Sequence, residues 1–127
     1  MNINELTEAV IGACIEVHRH MGPGLLESTY EQCLCRELSL RGIALACQAP
    51  MPVNYKGMLL DCGYKIDVLV DGRLVVELKS IEKVLPIHEA QLITYLRLGG
   101  FEVGLLINFN VVMLKDGITR RVVNFKE

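Results

Sequence analysis

Three side chains in this sequence are of types and spacings that could do chemistry together. Asp67, Glu77 and Lys79 lie in the run from Tyr64 to Ser80, Tyr-Lys-Ile-Asp-Val-Leu-Val-Asp-Gly-Arg-Leu-Val-Val-Glu-Leu-Lys-Ser. The run reads as two strands, 64–70 and 73–79, joined by a tight turn at Asp71-Gly72. Glu77 and Lys79 are two residues apart, so they share one strand face with Cα atoms roughly 7 Å apart. Whether Asp67 joins them depends on register. A two-residue loop would set Val70 against Arg73 and leave each face half apolar and half charged. A three-residue loop, Val70-Asp71-Gly72 with Gly72 left-handed, gathers Ile66, Val68, Leu74, Val76 and Leu78 on one apolar face. Asp67, Val75, Glu77 and Lys79 then share the other. A one-residue slip turns every side chain over, so the apolar pattern selects the second register. Asp67 becomes a diagonal neighbour of Glu77, within about 8 Å. Two converging carboxylates repel, and a divalent cation relieves that repulsion. Oxygen donors with open positions suit Mg²⁺ or Mn²⁺. The Lys79 ammonium could position a water or neutralise charge developing on a phosphate. On spacing alone, a solvated hairpin face carrying an Asp, a Glu and a Lys fits as well.

The elements that must hold these groups are legible in outline. Asn2-Ile3-Asn4-Glu5 is a helix cap with Glu three residues on, and Leu6, Val10, Ala13, Cys14 and Val17 follow at helical spacing. Met21-Gly22-Pro23-Gly24 breaks that helix near His20, where the histidines fit a helix C-terminus better than a metal site. A second helix, roughly 25–41, carries Glu27, Tyr30, Glu31, Leu34 and Leu38 along one stripe. Glu27 is either a first-turn carboxylate favoured by the helix dipole or a third acidic group near Asp67 and Glu77. Short runs at 43–47 and 53–56 read as strands separated by Pro50 and Pro52, which suit an edge, and Leu59 begins a strand leading into 64–70. A third helix spans about 86–98, opening on Pro86 and closing at Gly99-Gly100. It stacks His88, Gln91 and Tyr95 beside the apolar stripe of Leu92 and Leu96. Residues 102–108, 111–115 and 119–125 read as strands. The strand after the third helix must cross back, parallel to a central strand.

Composition bounds the rest. At 127 residues, with 51% apolar and 22% charged residues, the chain suits one domain with a substantial core. No run reaches the ~20 apolar residues of a membrane span, so no membrane partner is expected. No basic stretch followed by an apolar block marks a signal peptide. The five cysteines, at 14, 33, 35, 47 and 62, include no Cys-x-x-Cys pair and read as free thiols in a reducing, cytoplasmic setting. A net charge of −2 provides no global basic field, so any nucleic-acid binding would be local, metal-assisted or weak.

Asp67, followed by Glu77-Leu78-Lys79 and then a helix with Gln91, resembles the PD-(D/E)xK nuclease superfamily. More narrowly, Gly24-Leu25-Leu26-Glu27-Ser28-Thr29-Tyr30 is similar to the signature of the bacterial GxxExxY proteins. Met21–Gly24, Val75–Lys79, His88–Leu92 and Gly104–Phe109 look like that family's other blocks. The resemblance implies a restriction-endonuclease-like αβββαβ core, with a mixed central sheet flanked by helices, over residues 1–127. It implies Asp67, Glu77 and the Leu78 carbonyl as ligands of Mg²⁺ (or Mn²⁺). Lys79 is implied as the catalytic lysine, Glu27 as a further catalytic carboxylate, and Gln91 and Tyr95 as substrate-binding residues. Ile66 stands where the superfamily name has proline. The expected activity is phosphodiester hydrolysis of DNA or RNA, by a monomer or a homodimer. The alternative is a non-catalytic nucleic-acid-binding or protein-interaction domain on the same fold.

Overall fold

The computed structural model describes residues 1–124. Helix α1 (Ile3–Met21) begins on the anticipated capping box, in which Asn2 Oδ1 accepts from the Glu5 N–H and Glu5 returns the bond to the Asn2 N–H. Helix α2 (Glu27–Leu40) and strands β1 (Leu45–Pro50), β2 (Val53–Tyr55), β3 (Met58–Leu60), β4 (Lys65–Val70) and β5 (Leu74–Lys79) follow. Helix α3 (Pro86–Gly99) then crosses over to β6 (Val103–Asn108), and β7 (Ile118–Val122) is the last element among the described residues. The main sheet has the order β1-β4-β5-β6-β7. Among the described residues only β5 and β6 pair in parallel, as a helical crossover requires.

One core lies on each side of this sheet. Under α1 and α2 are Leu6, Val10, Tyr30, Leu34, Leu38, Val68, Val76, Leu105 and Phe109. Under α3 are Leu92, Leu96, Ile66, Val75 and Leu106. Strand β6 is buried along its whole length, which fits a strand covered by helices on both faces. At Gly104 a Cβ would stand 2.8 Å from a Leu92 methyl and 2.9 Å from a Leu96 methyl, so the missing side chain lets α3 lie close on the sheet. No described helix is long and apolar enough to cross a membrane.

Several expectations need correction. Val70 pairs with Leu74, so the loop is Asp71-Gly72-Arg73 rather than Val70-Asp71-Gly72. Asp71 joins Gly72 at positive φ (53° and 67°), and its carboxylate holds the Arg73 guanidinium at 2.8 Å, stabilising the loop in this position. The alternation of faces survives, because the true register differs from the expected one by two residues. Ile66 nonetheless leaves the face of Val68 and packs under α3. Strand β1 runs through Pro50 on the sheet edge instead of stopping at 47. Leu59 belongs to β3, which pairs with β2 in a separate two-stranded sheet.

Residues 111–115 form no strand. Leu114 is drawn into the core, and residues 114–117 make a 3-10 turn. Gly117 passes so close to the Asn108 carbonyl that a Cβ would stand 2.1 Å from its oxygen. Cys35 and Cys47 are disulfide-bonded between α2 and β1, contrary to the reading of five free thiols; Cys14, Cys33 and Cys62 are free. With one disulfide present, the cysteines do not point to a reducing compartment. Of the expected last strand, Phe125 lies outside the described residues.

Candidate active site

The β4–β5 ladder stops at Val68 and Val76, and continuing its register would set Asp67 across from Glu77. There the side chains take over from the backbone. Asp67 N–H donates to Glu77 Oε1 at 3.3 Å, and Leu78 N–H donates to Asp67 Oδ2 at 2.9 Å. Each carboxylate therefore accepts from the strand opposite, and both residues are half-buried. Strand β1 deforms at the same level. Gln48 takes φ 53°, and its amide donates to Glu31 at 2.5 Å and to Asp67 Oδ1 at 3.4 Å.

The electrostatics follow from this convergence. The Glu77 carboxyl is pushed up to about 9, first by burial, then by the charge of Asp67 and by a side-chain hydrogen bond with it. The Asp67 N–H and the Lys79 charge pull the other way. Near neutral pH Glu77 therefore keeps a proton. Leu78 buries its side chain in the core, while its peptide lies beside the pair through the bond to Asp67. Lys79 is half-buried at the end of β5, where Phe109 N–H holds its carbonyl at 3.0 Å.

Helix α2 is tied to the same strand end. Ser80 Oγ donates to the Leu25 carbonyl at 2.5 Å. The Tyr30 hydroxyl accepts from Leu25 N–H at 3.1 Å and donates to the Gly22 carbonyl at 2.5 Å. The buried Tyr30 ring stacks on Phe109, with centroids 4.4 Å apart. Tyr30 thus fixes the loop from which α2 starts, and Glu27 is the helix's first residue. Much of Glu27 is exposed, yet its carboxyl sits above the usual range. Desolvation is the main cause; the charge of Lys79 opposes the rise, and those of Asp67 and Glu31 add to it. Glu27 therefore stands at the open side of the cluster.

From the other face of the sheet, α3 contributes Gln91 and Tyr95. The Tyr95 hydroxyl is raised by desolvation and then by the charge of Glu77, against a hydrogen bond with Gln91. Both residues line a groove of about 500 Å³, and Tyr95 packs against the cluster of Ile66 and Val75, the strand neighbours of Asp67 and Glu77. His88 caps α3 by accepting from Leu85 N–H at 2.9 Å. His18 binds the Val111 carbonyl at 2.8 Å and His20 pairs with Glu16, so neither joins the site.

Every residue anticipated for the site thus falls in one region. Two further groups adjoin the expected set. Glu31 shares the stripe of Glu27 and adds its charge beside it. Gln48 was not findable, because it arrives only through the pairing of β1 with β4.

The architecture, a mixed sheet between helices with carboxylates where a central hairpin opens, is that of the restriction-endonuclease-like class. Residues 4–122 match the PD-(D/E)XK nuclease superfamily, and the chain belongs to it. No curated protein and no solved structure matches the chain.

Proposed function

We propose that residues 1–127 form one nuclease-like domain of the GxxExxY group that hydrolyses phosphodiesters in nucleic acid with the help of a divalent cation. The observation that carries this reading is the Asp67–Glu77 pair. Two carboxylates meet where the backbone ladder is released, and one of them keeps a proton that a cation would displace. Oxygen donors of this kind, in a site open on one side, fit Mg²⁺ or Mn²⁺. Asp67, Glu77 and the Leu78 carbonyl would hold the ion, which supplies Lewis-acid activation of water and phosphate. Lys79 neutralises charge developing on the phosphate oxygens. Glu27, its carboxyl raised at the rim, takes up the proton released by the attacking water. Gln91 and Tyr95 position the substrate strand.

A second reading, a protein-interaction domain on the same fold, is favoured by the β2–β3 hairpin, which exposes the cross-strand pair Tyr55 and Met58. A cleavage assay on single- and double-stranded DNA and RNA decides between them. Cutting is expected in Mg²⁺ or Mn²⁺ and not in EDTA, and Lys79→Ala should slow it by about 10²–10³-fold, the usual cost of one transition-state donor. Cleavage that survives EDTA, or a Lys79→Ala protein at full rate, overturns the nuclease reading.

A further inference from the structure

The groove beside the carboxylates has a composition that phosphate chemistry alone does not explain. Met51, Val53, Tyr64, Ile87 and Leu98 give it largely apolar walls, and Gln91 and Tyr95 add polar tips to its lining. The Tyr64 and Tyr95 rings meet edge to face at 6.2 Å. Tyr64 remains 47% exposed and Ile87 68%, so two broad apolar surfaces stand open to an incoming planar group. At about 500 Å³ the space lies within the ~300–1,000 Å³ common for small-ligand sites. Its inner end adjoins the reacting region, since Tyr95 packs against the cluster of Ile66 and Val75, which neighbour Asp67 and Glu77 along β4 and β5.

Charge narrows the choice of occupant. A duplex held by its phosphates needs several cationic contacts at once. Here the net charge is −2, and the described residues that line the groove include no lysine or arginine. Single strands can instead draw affinity from bases stacked on aromatic rings. A paired base could enter such a groove only by leaving its helix, at a cost of a few kcal/mol.

We infer that the Tyr64–Tyr95 groove is a subsite for one unpaired base, and that the substrate is single-stranded nucleic acid whose base stacks on Tyr64 beside the phosphate at the carboxylates. The inference rests on the nuclease reading and specifies its substrate. Tyr64 suits a test because its link to the fold is a carbonyl that accepts from Met51 N–H at 2.9 Å, a bond that survives loss of the ring.

Fluorescence anisotropy in the full-length Asp67→Asn protein, where cleavage does not consume the probe, measures binding of three labelled oligonucleotides. These are a single strand of about 12 nucleotides, within the ~4–16 typical of single-strand grooves, its duplex, and the same strand with abasic sugars. The single strand should bind at least about tenfold more tightly than either of the others. Tyr64→Ala should weaken single-strand binding about tenfold, or ~1.4 kcal/mol, within the range for one stacked base. Tyr64→Phe, which keeps the ring, should retain binding. Equal affinity for duplex or abasic strand, an unchanged Tyr64→Ala protein, or no binding to any probe overturns the inference. Wild type that cuts duplex and single strand at equal rates removes this inference and leaves the nuclease reading standing. Tyr64-dependent binding of single strands without metal-dependent cleavage does the reverse.

Discussion

The two ends of the β4–β5 hairpin are built from the same two strands and do opposite things. At the loop end Val68, Leu69 and Val70 face Val76, Val75 and Leu74 in an unbroken ladder, and all but Leu69 are fully buried. At the far end the ladder gives way to carboxylates that bond the opposite strand's N–H groups. The first end is stabilised by apolar burial, at about 25 cal/mol per Å². The second raises a carboxyl to about 9, which a cooperative fold tolerates only because neighbouring elements hold it in place. Tyr30, Ser80 and Phe109 supply that support from outside the hairpin. Stability and reactivity are therefore separated along one strand pair by about two residue pairs.

The separation can be broken most strongly at the loop end. Leu74 is fully buried, pairs with Val70 across the hairpin and with Val103 in β6. Leu74→Ala should cost about 2–5 kcal/mol of stability, the usual range for a leucine truncated in a core. Chemical denaturation measures it, and activity per folded molecule should stay near wild type. A fall in specific activity as large as the fall in stability would show that the two ends are one unit.

Much of this contrast was legible in the sequence, and the exceptions have physical causes. The period-two alternation of β4 and β5 predicts the face of every residue used here except Ile66, and hence the meeting of Asp67 with Glu77, although the loop lies one residue later than the alternation suggests. Parity is robust to a two-residue shift, whereas register depends on Asp71 adopting positive φ, which non-glycine residues seldom do. The transfer of Ile66 to the α3 core was not legible, because it follows from the end of the ladder at Asp67. The strand expected at 111–115 fails because Leu114 is pulled inward and Gly117 packs on the Asn108 carbonyl. The cysteine pair follows from α2 meeting β1, a contact that no local pattern announces. Glu27 and Tyr30 are the reverse case. Their spacing within one helical turn was plain, and the structure adds that Tyr30 anchors the loop that positions Glu27.

A gentler test uses protons. The folded-state value for Glu77, about 9, lies above its ordinary 4.5. Between those values the folded protein holds a proton that the unfolded chain has released, so stability falls as pH rises. The contribution is fully present below about 4.5 and lost as pH passes through about 9. Glu27, also raised, acts in the same direction. Thermal melts in EDTA from pH 6 upward should therefore decline, and Glu77→Gln should flatten the decline. Affinity for Mn²⁺ should run the other way, tightening with pH as the competing proton leaves. A wild-type profile as flat as that of Glu77→Gln would mean that the pair does not share a proton.

The smallest expected effect is the most diagnostic one. Were the carboxylates held only for folding, removing one would leave a buried donor unpaired, at about 1–3 kcal/mol. The Asp67→Asn side chain keeps an oxygen that can accept from Leu78 N–H, so the bond that ties β4 to β5 survives. What disappears is the charge that, after burial, does most to raise Glu77. Because the proton on Glu77 has already relieved most of the repulsion near neutral pH, the gain in stability is small. Without metal, Asp67→Asn should melt within about 0.5 kcal/mol of wild type or slightly above it, as substitutions that break no buried contact usually do. Adding Mg²⁺ or Mn²⁺ separates the two proteins. Wild type should rise in melting temperature by mass action, at about 2.7 kcal/mol when the ion is a hundredfold above its dissociation constant. Asp67→Asn should not. If the mutant instead melts far below wild type, and wild type ignores both ions, the carboxylates are part of the scaffold and the far end of the hairpin is as structural as the loop end.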